Sequence, residues 1–537
     1  MADATPLTAT TLTDVLRRRA ALTPAGQYFD LYGETVTYGR VWEQSARYAA
    51  GLAAAGVRPG DKVCLIYPTC AEFFYTFFGA LRLGAVPVPL YPTLGVEPTA
   101  AIFRDAEAVA VATIGWFRTG VDESVALAPN VRAVLEPPDL EAAAAPAADW
   151  TAREDDLAFL QYTSGSTGQP RGVMLTHANV VETIKFMAEA AHIGADDRVV
   201  SWLPLYHDMG LIGLCFTPLL VATPLWLLPP DLRAPRQWLE LITRVRATFT
   251  VSPDFGYRNC VRNVRDTSDL DISSLRSALS GAEPVRPSTI GAFERHFGVK
   301  NLISPCYGLA EATLAVSIWP RGVPVRLDST GRFVCVGAPC PGVSVRVQPA
   351  LEAPDAATVL PAWEEGELCV KSPGVMRGYY NNPEATARVL SPDGWLRTGD
   401  LGFLDREGFL YVTGRIKDVM ILGGENVVPS DVEEIVDAVP GVRYSAAVGV
   451  DSERSGTQRL YVVAEVRDES APGERLHELT VEIVRQVHQR RGHRPARVLL
   501  ARSGTIPKTS SGKIQRARLG QMIQENALAD RVLAAER

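Results

Sequence analysis

Residues 163–172 interleave small hydroxyl side chains with glycines. Such a loop lets several backbone N–H groups and hydroxyls converge on one polyanion without side-chain clash. Thr163, Ser164, Gly165, Ser166, Thr167 and Gly168 therefore read as a phosphate cradle. It is not the nucleotide loop that ends in Gly-Lys-Ser/Thr, because no Lys followed by Ser or Thr is present in it. A second Ser/Gly-rich loop, Pro507 to Lys513, carries an ammonium group on a segment free to move.

Loops of this kind need rigid elements behind them. An apolar strand candidate, Leu157 to Tyr162, precedes the cradle, and a helix is expected to begin near Thr176. Upstream, helical patterns at Thr13 to Ala21 and Arg40 to Ala55 lead into strand, helix, strand at Lys62 to Tyr67, Cys70 to Leu83 and Val86 to Leu90. That spacing predicts a parallel βαβ unit. The alternation returns between Arg198 and Pro305, predicting a second wound sheet. From Arg332 to Arg415 short alternating runs separated by Gly and Pro predict antiparallel or barrel-like β structure, with a surface loop at Ala350 to Glu365. After Arg415 the pattern resets to a compact α+β unit, with helices expected at Pro429 to Ala438 and Glu474 to Gln489. The fold class expected is α/β: a large N-terminal domain (1–415) with two wound αβ sheets and a distorted β-barrel, and a small mobile C-terminal α+β domain (416–537).

The chain has 537 residues, 47% of them hydrophobic, enough for several domains with real cores. Its 54 Lys and Arg against 61 Asp and Glu leave a formal charge of -7, which argues against a nucleic-acid or anionic-membrane binder. Eight scattered cysteines without a CxxC pair fit a reduced, cytoplasmic protein with no zinc or disulfide framework. The Arg17 to Arg19 run stands where a secretory signal would need an apolar core. Met209 to Pro230 lacks charge over a length that could span a bilayer, but its glycines and prolines predict a buried short helix and short strand, with no transmembrane segment.

Five segments occur in a telling order: the cradle; Tyr307-Gly308-Leu309-Ala310-Glu311-Ala312-Thr313; Thr398-Gly399-Asp400; Gly414-Arg415 with Lys417-Asp418; and Pro507-Lys508-Thr509-Ser510-Ser511-Gly512-Lys513. In this the chain resembles, over essentially its whole length, the adenylate-forming superfamily of acyl-CoA synthetases, fatty acyl-AMP ligases and adenylation domains. The stretches Leu203 to Gly213, Gly281 to Val285 and Cys306 to Leu314 look most like the fatty acyl-AMP ligase branch. The resemblance implies a ligase that uses ATP and Mg2+ to make an acyl adenylate from an acid, then passes the acyl group to a thiol.

By the same resemblance, Lys513 bridges the acid and the α-phosphate, Glu311 is the magnesium ligand, and His207 belongs to the catalytic set and the substrate pocket. Asp400 and Arg415 would serve the ribose; Tyr307 and Gly308 the adenine, with the Gly281, Ala282 and Glu283 turn on its other face. Asp254, Phe255 and Gly281 would line the acid pocket. Lys417 matches the hinge about which the small domain turns, withdrawing Lys513 and bringing in Gly423 to Asn426. Arg485 to Arg518 holds many cations and no Asp or Glu. It reads either as a solvated basic face or as a site for a phosphorylated carrier or coenzyme A.

The departures from the pattern matter. Arg171 stands where the family has Lys. The path from Leu314 to Val336 is short where fatty acyl-AMP ligases carry an insertion, and Gly423 to Asn426 is synthetase-like. Asp254 places a carboxylate where an amide is usual, and a charge facing a lipid tunnel is costly unless paired, so either Asp254 points elsewhere or the substrate is small or polar. The acceptor is therefore open between coenzyme A and a phosphopantetheinyl carrier, which would be a separate protein. A second reading is adenylation of a small oxyacid such as nitrite, captured by an amine.

Overall fold

The apolar runs at the start of the chain pair as their spacing predicts. In the computed structural model Lys62–Ile66 lies between Val86–Pro89 and Ala108–Thr113, all parallel, and Ala133–Leu135 extends the same sheet. Each crossover is a helix, Ala71–Leu83, Val96–Asp105 or Gly115–Ala126, as parallel pairing requires. Residues 7–143, 149–163, 170–231, 234–350, 358–452, 457–508 and 513–536 are described. Part of the predicted loop at Ala350 to Glu365 thus lies outside the described residues.

The second sheet has nine strands. Its parallel centre runs Ile303–Gly308, Ser277–Ser280, Phe249–Ser252, Val199–Ser201, Leu225–Leu227, Gln27–Leu31. Antiparallel strands Ala315–Ile318 and Ala338–Pro339 finish one side and Glu34–Thr37 the other. Val199–Ser201, Phe249–Ser252 and Ser277–Ser280 are buried at every position, and apart from apolar residues they carry only small hydroxyl side chains. The uncharged stretch after Met209 forms a fully buried π-helix, Met209–Phe216, then Thr217–Val221 and the strand Leu225–Leu227. Among the described residues no helix is long and apolar enough to cross a membrane.

One expectation changes. Between the cradle and the helix His177–Ala190 stands a strand, Arg171–Thr176, antiparallel to Leu157–Thr163. Its Val173 and Leu175 are fully buried, so the cradle connects two strands of a hairpin and not a strand to a helix. The helix does begin next to Thr176, which caps it by accepting from the Asn179 N–H at 3.1 Å. Gly378–Tyr379 adds a third strand to the hairpin. The alternating texture after Arg332 folds as a four-stranded sheet in the order Ser344–Gln348, Gly366–Lys371, Leu396–Leu404, Leu410–Arg415.

The chain divides into two compact units. The first takes in Met1–Thr163, Pro170–Thr398 and Phe403–Val412; the second includes Gly399–Gly402 and Thr413–Arg537. The second unit is built on Val442–Ser452, Thr457–Val466, Arg497–Ala501 and Val532–Glu536, with a Met420–Leu422/Glu425–Val427 hairpin. Helices Pro429–Asp437, Gly473–Arg491 and Arg516–Gln524 accompany its sheet. Gly423 and Gly424 have φ of +61° and +87°, the left-handed pair that a two-residue hairpin turn demands.

Candidate active site

Parallel strands present all their carboxyl ends at one edge, where crossover loops leave room for a ligand. At that edge of the nine-stranded sheet stand His207, the helix start at Asp254 and Phe255, the Gly281–Glu283 turn, the strand end at Tyr307 and Gly308, and Glu311 just beyond it. The sheet therefore gathers, within the first unit, candidates scattered over a hundred positions of sequence.

The adenine-turn candidates are fixed by close approach. A Cβ on Gly281 would stand 2.7 Å from Cys306 Sγ, and one on Gly308 only 1.7 Å from the Leu314 carbonyl oxygen, so neither position tolerates a side chain. Ala282, between Gly281 and Glu283, holds φ +66°, a left-handed conformation that costs an L-residue roughly 1–2 kcal/mol. Backbone strain at such a place marks a turn over-determined by its surroundings.

Those surroundings include Asp254. Its carboxylate is fully buried and accepts from the Arg286 N–H at 3.0 Å and the Thr289 hydroxyl at 2.9 Å, with Arg258 Nε at 3.0 Å. Glu283 Oε1 in return accepts from the Phe255 N–H at 2.5 Å. The two turns are thus cross-braced by carboxylates. Burial pushes both acids upward from the ordinary carboxylate range, and Arg258 pulls each back. Its oxygens are committed to the start of helix Pro287–Phe297 and to Arg258, the pairing that a buried carboxylate requires. A small cavity of about 20 Å³ nearby is lined by Trp202, Trp238, Gly256 and Asn259. Phe255 meets Trp202 edge-on at 6.1 Å.

His207 precedes the π-helix, a form that recurs at functional sites. Its Nδ1 stands 2.6 Å from Asp208 Oδ1, which also accepts from the Met209 N–H at 2.7 Å.

Glu311 lies in a 3-10 turn, Ala310–Ala312, held from two sides. Its backbone carbonyl accepts from the Met376 N–H at 2.8 Å, and its Oε1 accepts from the Tyr379 hydroxyl, also at 2.8 Å. Arg171 stacks over the Tyr379 ring at 5.3 Å. Burial, then the Glu311 charge, hold the Tyr379 phenol protonated far above its usual range, so it stays a donor. Among the described residues no three His, Cys, Asp or Glu side chains cluster to hold a metal. A lone oriented carboxylate suits Mg2+, which keeps most of its shell for water and substrate phosphates. Tyr379, 68 positions from Glu311, escaped the sequence reading, and nothing local to it signals the contact. Thr163 ends its strand opposite Arg171. Ser164, Gly165, Ser166, Thr167 and Gly168 lie outside the described residues.

In the second unit Asp400 is 4% exposed and accepts from Arg415 Nε at 2.6 Å. Lys417 sits in a 3-10 turn, Ile416–Asp418, directly after the strand that ends at Arg415. The Lys513 loop is closed at its feet by a Lys508–Ile514 bridge and by the Gln515 N–H donating to the Pro507 carbonyl at 2.9 Å. The basic run is less bare than its sequence suggests. Arg491 pairs with Asp431, His493 stands 3.0 Å from Glu425, Arg502 stands 3.4 Å from Glu469, and Arg516 grips Glu433. Acids from elsewhere in the unit thus pair with part of the run.

Residues 16–380 match the AMP-binding enzyme family. The chain is 33% identical over 523 residues to the medium-chain-fatty-acid--[acyl-carrier-protein] ligase JamA of Moorena producens, covering 88% of each. It is 34% identical over 549 residues to the long-chain-fatty-acid--AMP ligase FadD26 of Mycobacterium marinum, covering 90% of this chain and 91% of that one. A solved structure from work on fatty acyl-adenylate ligases of E. coli and L. pneumophila superposes with TM-score 0.87 at 30% identity, covering 98% of this chain and 99% of that one. With its acidic, aromatic and glycine-lined loops gathered at one sheet edge, the chain belongs to the AMP-binding enzyme family and is an ATP-using, adenylate-forming acyl ligase.

Proposed function

We propose that the enzyme activates a fatty acid as its acyl adenylate, releasing pyrophosphate, and then passes the acyl group to the phosphopantetheine thiol of a carrier protein. The observation that carries the first step is the Tyr379–Glu311 contact, which aims a carboxylate where a phosphate-bound cation would be held. Mg2+ there would neutralise phosphate oxygens while the leaving group departs. Arg171 supplies a fixed positive charge beside the same tyrosine. Asp400 accepts from the ribose hydroxyls, and Tyr307 and the Gly281–Glu283 turn flank the base.

Lys513 acts as the donor to the acid and the α-phosphate. A positioned donor of this kind contributes roughly 3 kcal/mol, a hundredfold or more in rate. The unit from 416 onward turns about Lys417 between the two half-reactions. The names of the relatives support a fatty acid and a carrier; coenzyme A is the competing acceptor. Asp254 no longer argues for a small polar oxyacid, because its carboxylate is already paired.

The test is labelled pyrophosphate exchange across a panel of acids, followed by transfer to holo-carrier or to coenzyme A. Lys513→Ala should abolish exchange yet spare transfer from pre-made acyl adenylate. Equal loss of both steps would overturn the assignment, and exchange with no carboxylic acid would overturn the function.

A further inference from the structure

Arg516 lies three positions beyond Lys513, and its surroundings in the second unit are unlike those of an ordinary surface arginine. Its side chain is 20% exposed, and Nη2 donates to both Glu433 carboxylate oxygens at 2.8 Å. Glu433 is itself fixed: 3% exposed, it accepts from the Ala447 N–H at 3.0 Å. Through Nη1, at 3.5 Å, Arg516 also reaches Asp418. Asp418 closes the 3-10 turn that contains Lys417, and that turn begins where Arg415 binds Asp400. A continuous chain of ion pairs and backbone therefore joins Asp400, Arg415, the 416–418 turn, Arg516 and the foot of the Lys513 loop.

We infer that Arg516 is a positioning residue that locks the Lys513 loop to the hinge turn, so that loop and turn move as one piece. A planar guanidinium suits this, because its fork engages two carboxylates in fixed directions where an ammonium would offer one mobile point charge. Without the lock, Lys513 would sample many orientations on its Ser/Gly loop, and the rate of adenylation would fall with the fraction of time it is correctly placed. Transfer of the acyl group to the thiol, in which Lys513 takes no part, would not feel the change. The inference rests on the roles proposed for Lys513 and Lys417.

The experiment compares Arg516→Lys, Asp418→Asn and the double variant with the parent enzyme, in pyrophosphate exchange and in transfer from pre-made acyl adenylate. Arg516→Lys should lower the exchange kcat about tenfold with the KM for ATP nearly unchanged, and leave transfer intact. Asp418, 26% exposed, can lose its charge with little risk to folding. Asp418→Asn should lower exchange in the same selective way, and the double variant should be no worse than Arg516→Lys alone, since both break one link. Parallel loss of both half-reactions together with Tm would reduce Arg516 to a structural role and overturn the inference. So would unchanged exchange in Asp418→Asn while Lys513→Ala abolishes it. Exchange that survives Lys513→Ala would overturn both the inference and the reading beneath it.

Discussion

Tyr379→Phe removes one oxygen from the interior of the first unit and nothing else. The ring stays beneath Arg171, while the 2.8 Å bond to Glu311 is lost. Tyr379 is 6% exposed, so solvent screens that bond little. A hydrogen bond to a charged group contributes about 1.5–3 kcal/mol, which would correspond to roughly a 10- to 100-fold rate change if transmitted in full to the reaction. Glu311 is only partly buried, and water can replace the phenol, so the lower end applies. The expected outcome is about a tenfold fall in exchange kcat with a higher half-saturating concentration of free Mg2+. Exchange rates across a Mg2+ titration, alongside a thermal melt, make the measurement. An unaltered Mg2+ dependence at full rate, or a loss matched entirely by unfolding, would refute the claim that Tyr379 aims Glu311.

Two further outcomes test the packing behind the site. His177 is 2% exposed, its Nδ1 accepts from the Leu12 N–H at 3.1 Å, and burial holds its pKa down to about 4, against Asp156. The unfolded chain takes up that proton near pH 6.5 and the native one not until about 4, so stability present above 6.5 is lost as pH falls through this window, by about 3 kcal/mol in all. Urea unfolding at pH 7 and pH 4.5 should show that loss, and His177→Gln should flatten it; identical slopes would exclude the histidine as its cause. Asp254→Ala removes one of the two buried carboxylates that face Arg258 and, with Glu283 left, should cost about 3 kcal/mol in a denaturant titration, the low end for breaking a buried pair. A cost below about 1 kcal/mol would mean the brace contributes little.

What the sequence revealed was local. The wound sheets follow from runs of apolar residues and the chemical segments are read directly in their order along the chain, while the structure supplies the reason for the glycines at Gly281 and Gly308, whose places a Cβ would fill. What it concealed was contact at a distance. Asp254 looks like a misplaced charge until Arg286 and Thr289, more than thirty positions later, come round on the next crossover. Likewise, the run from Arg485 looks bare because its acids, Asp431, Glu433 and Glu469, precede it in other elements. The strand Arg171–Thr176 was hidden for another reason: six residues of mixed polarity carry too short an alternation to separate from the start of a helix.

The nine-stranded sheet also sets a timetable for synthesis. Gln27 meets Leu225, a partner 198 positions away, whereas the sheet around Lys62–Ile66 finds all its partners before residue 136. On the ribosome the smaller sheet can close early, while the Gln27–Leu31/Glu34–Thr37 pair must wait for its parallel partner until the middle of the molecule has been translated. An amino-terminal fusion or truncation that disturbs Gln27–Leu31 would therefore injure one edge of the nine-stranded sheet and not a dispensable tail.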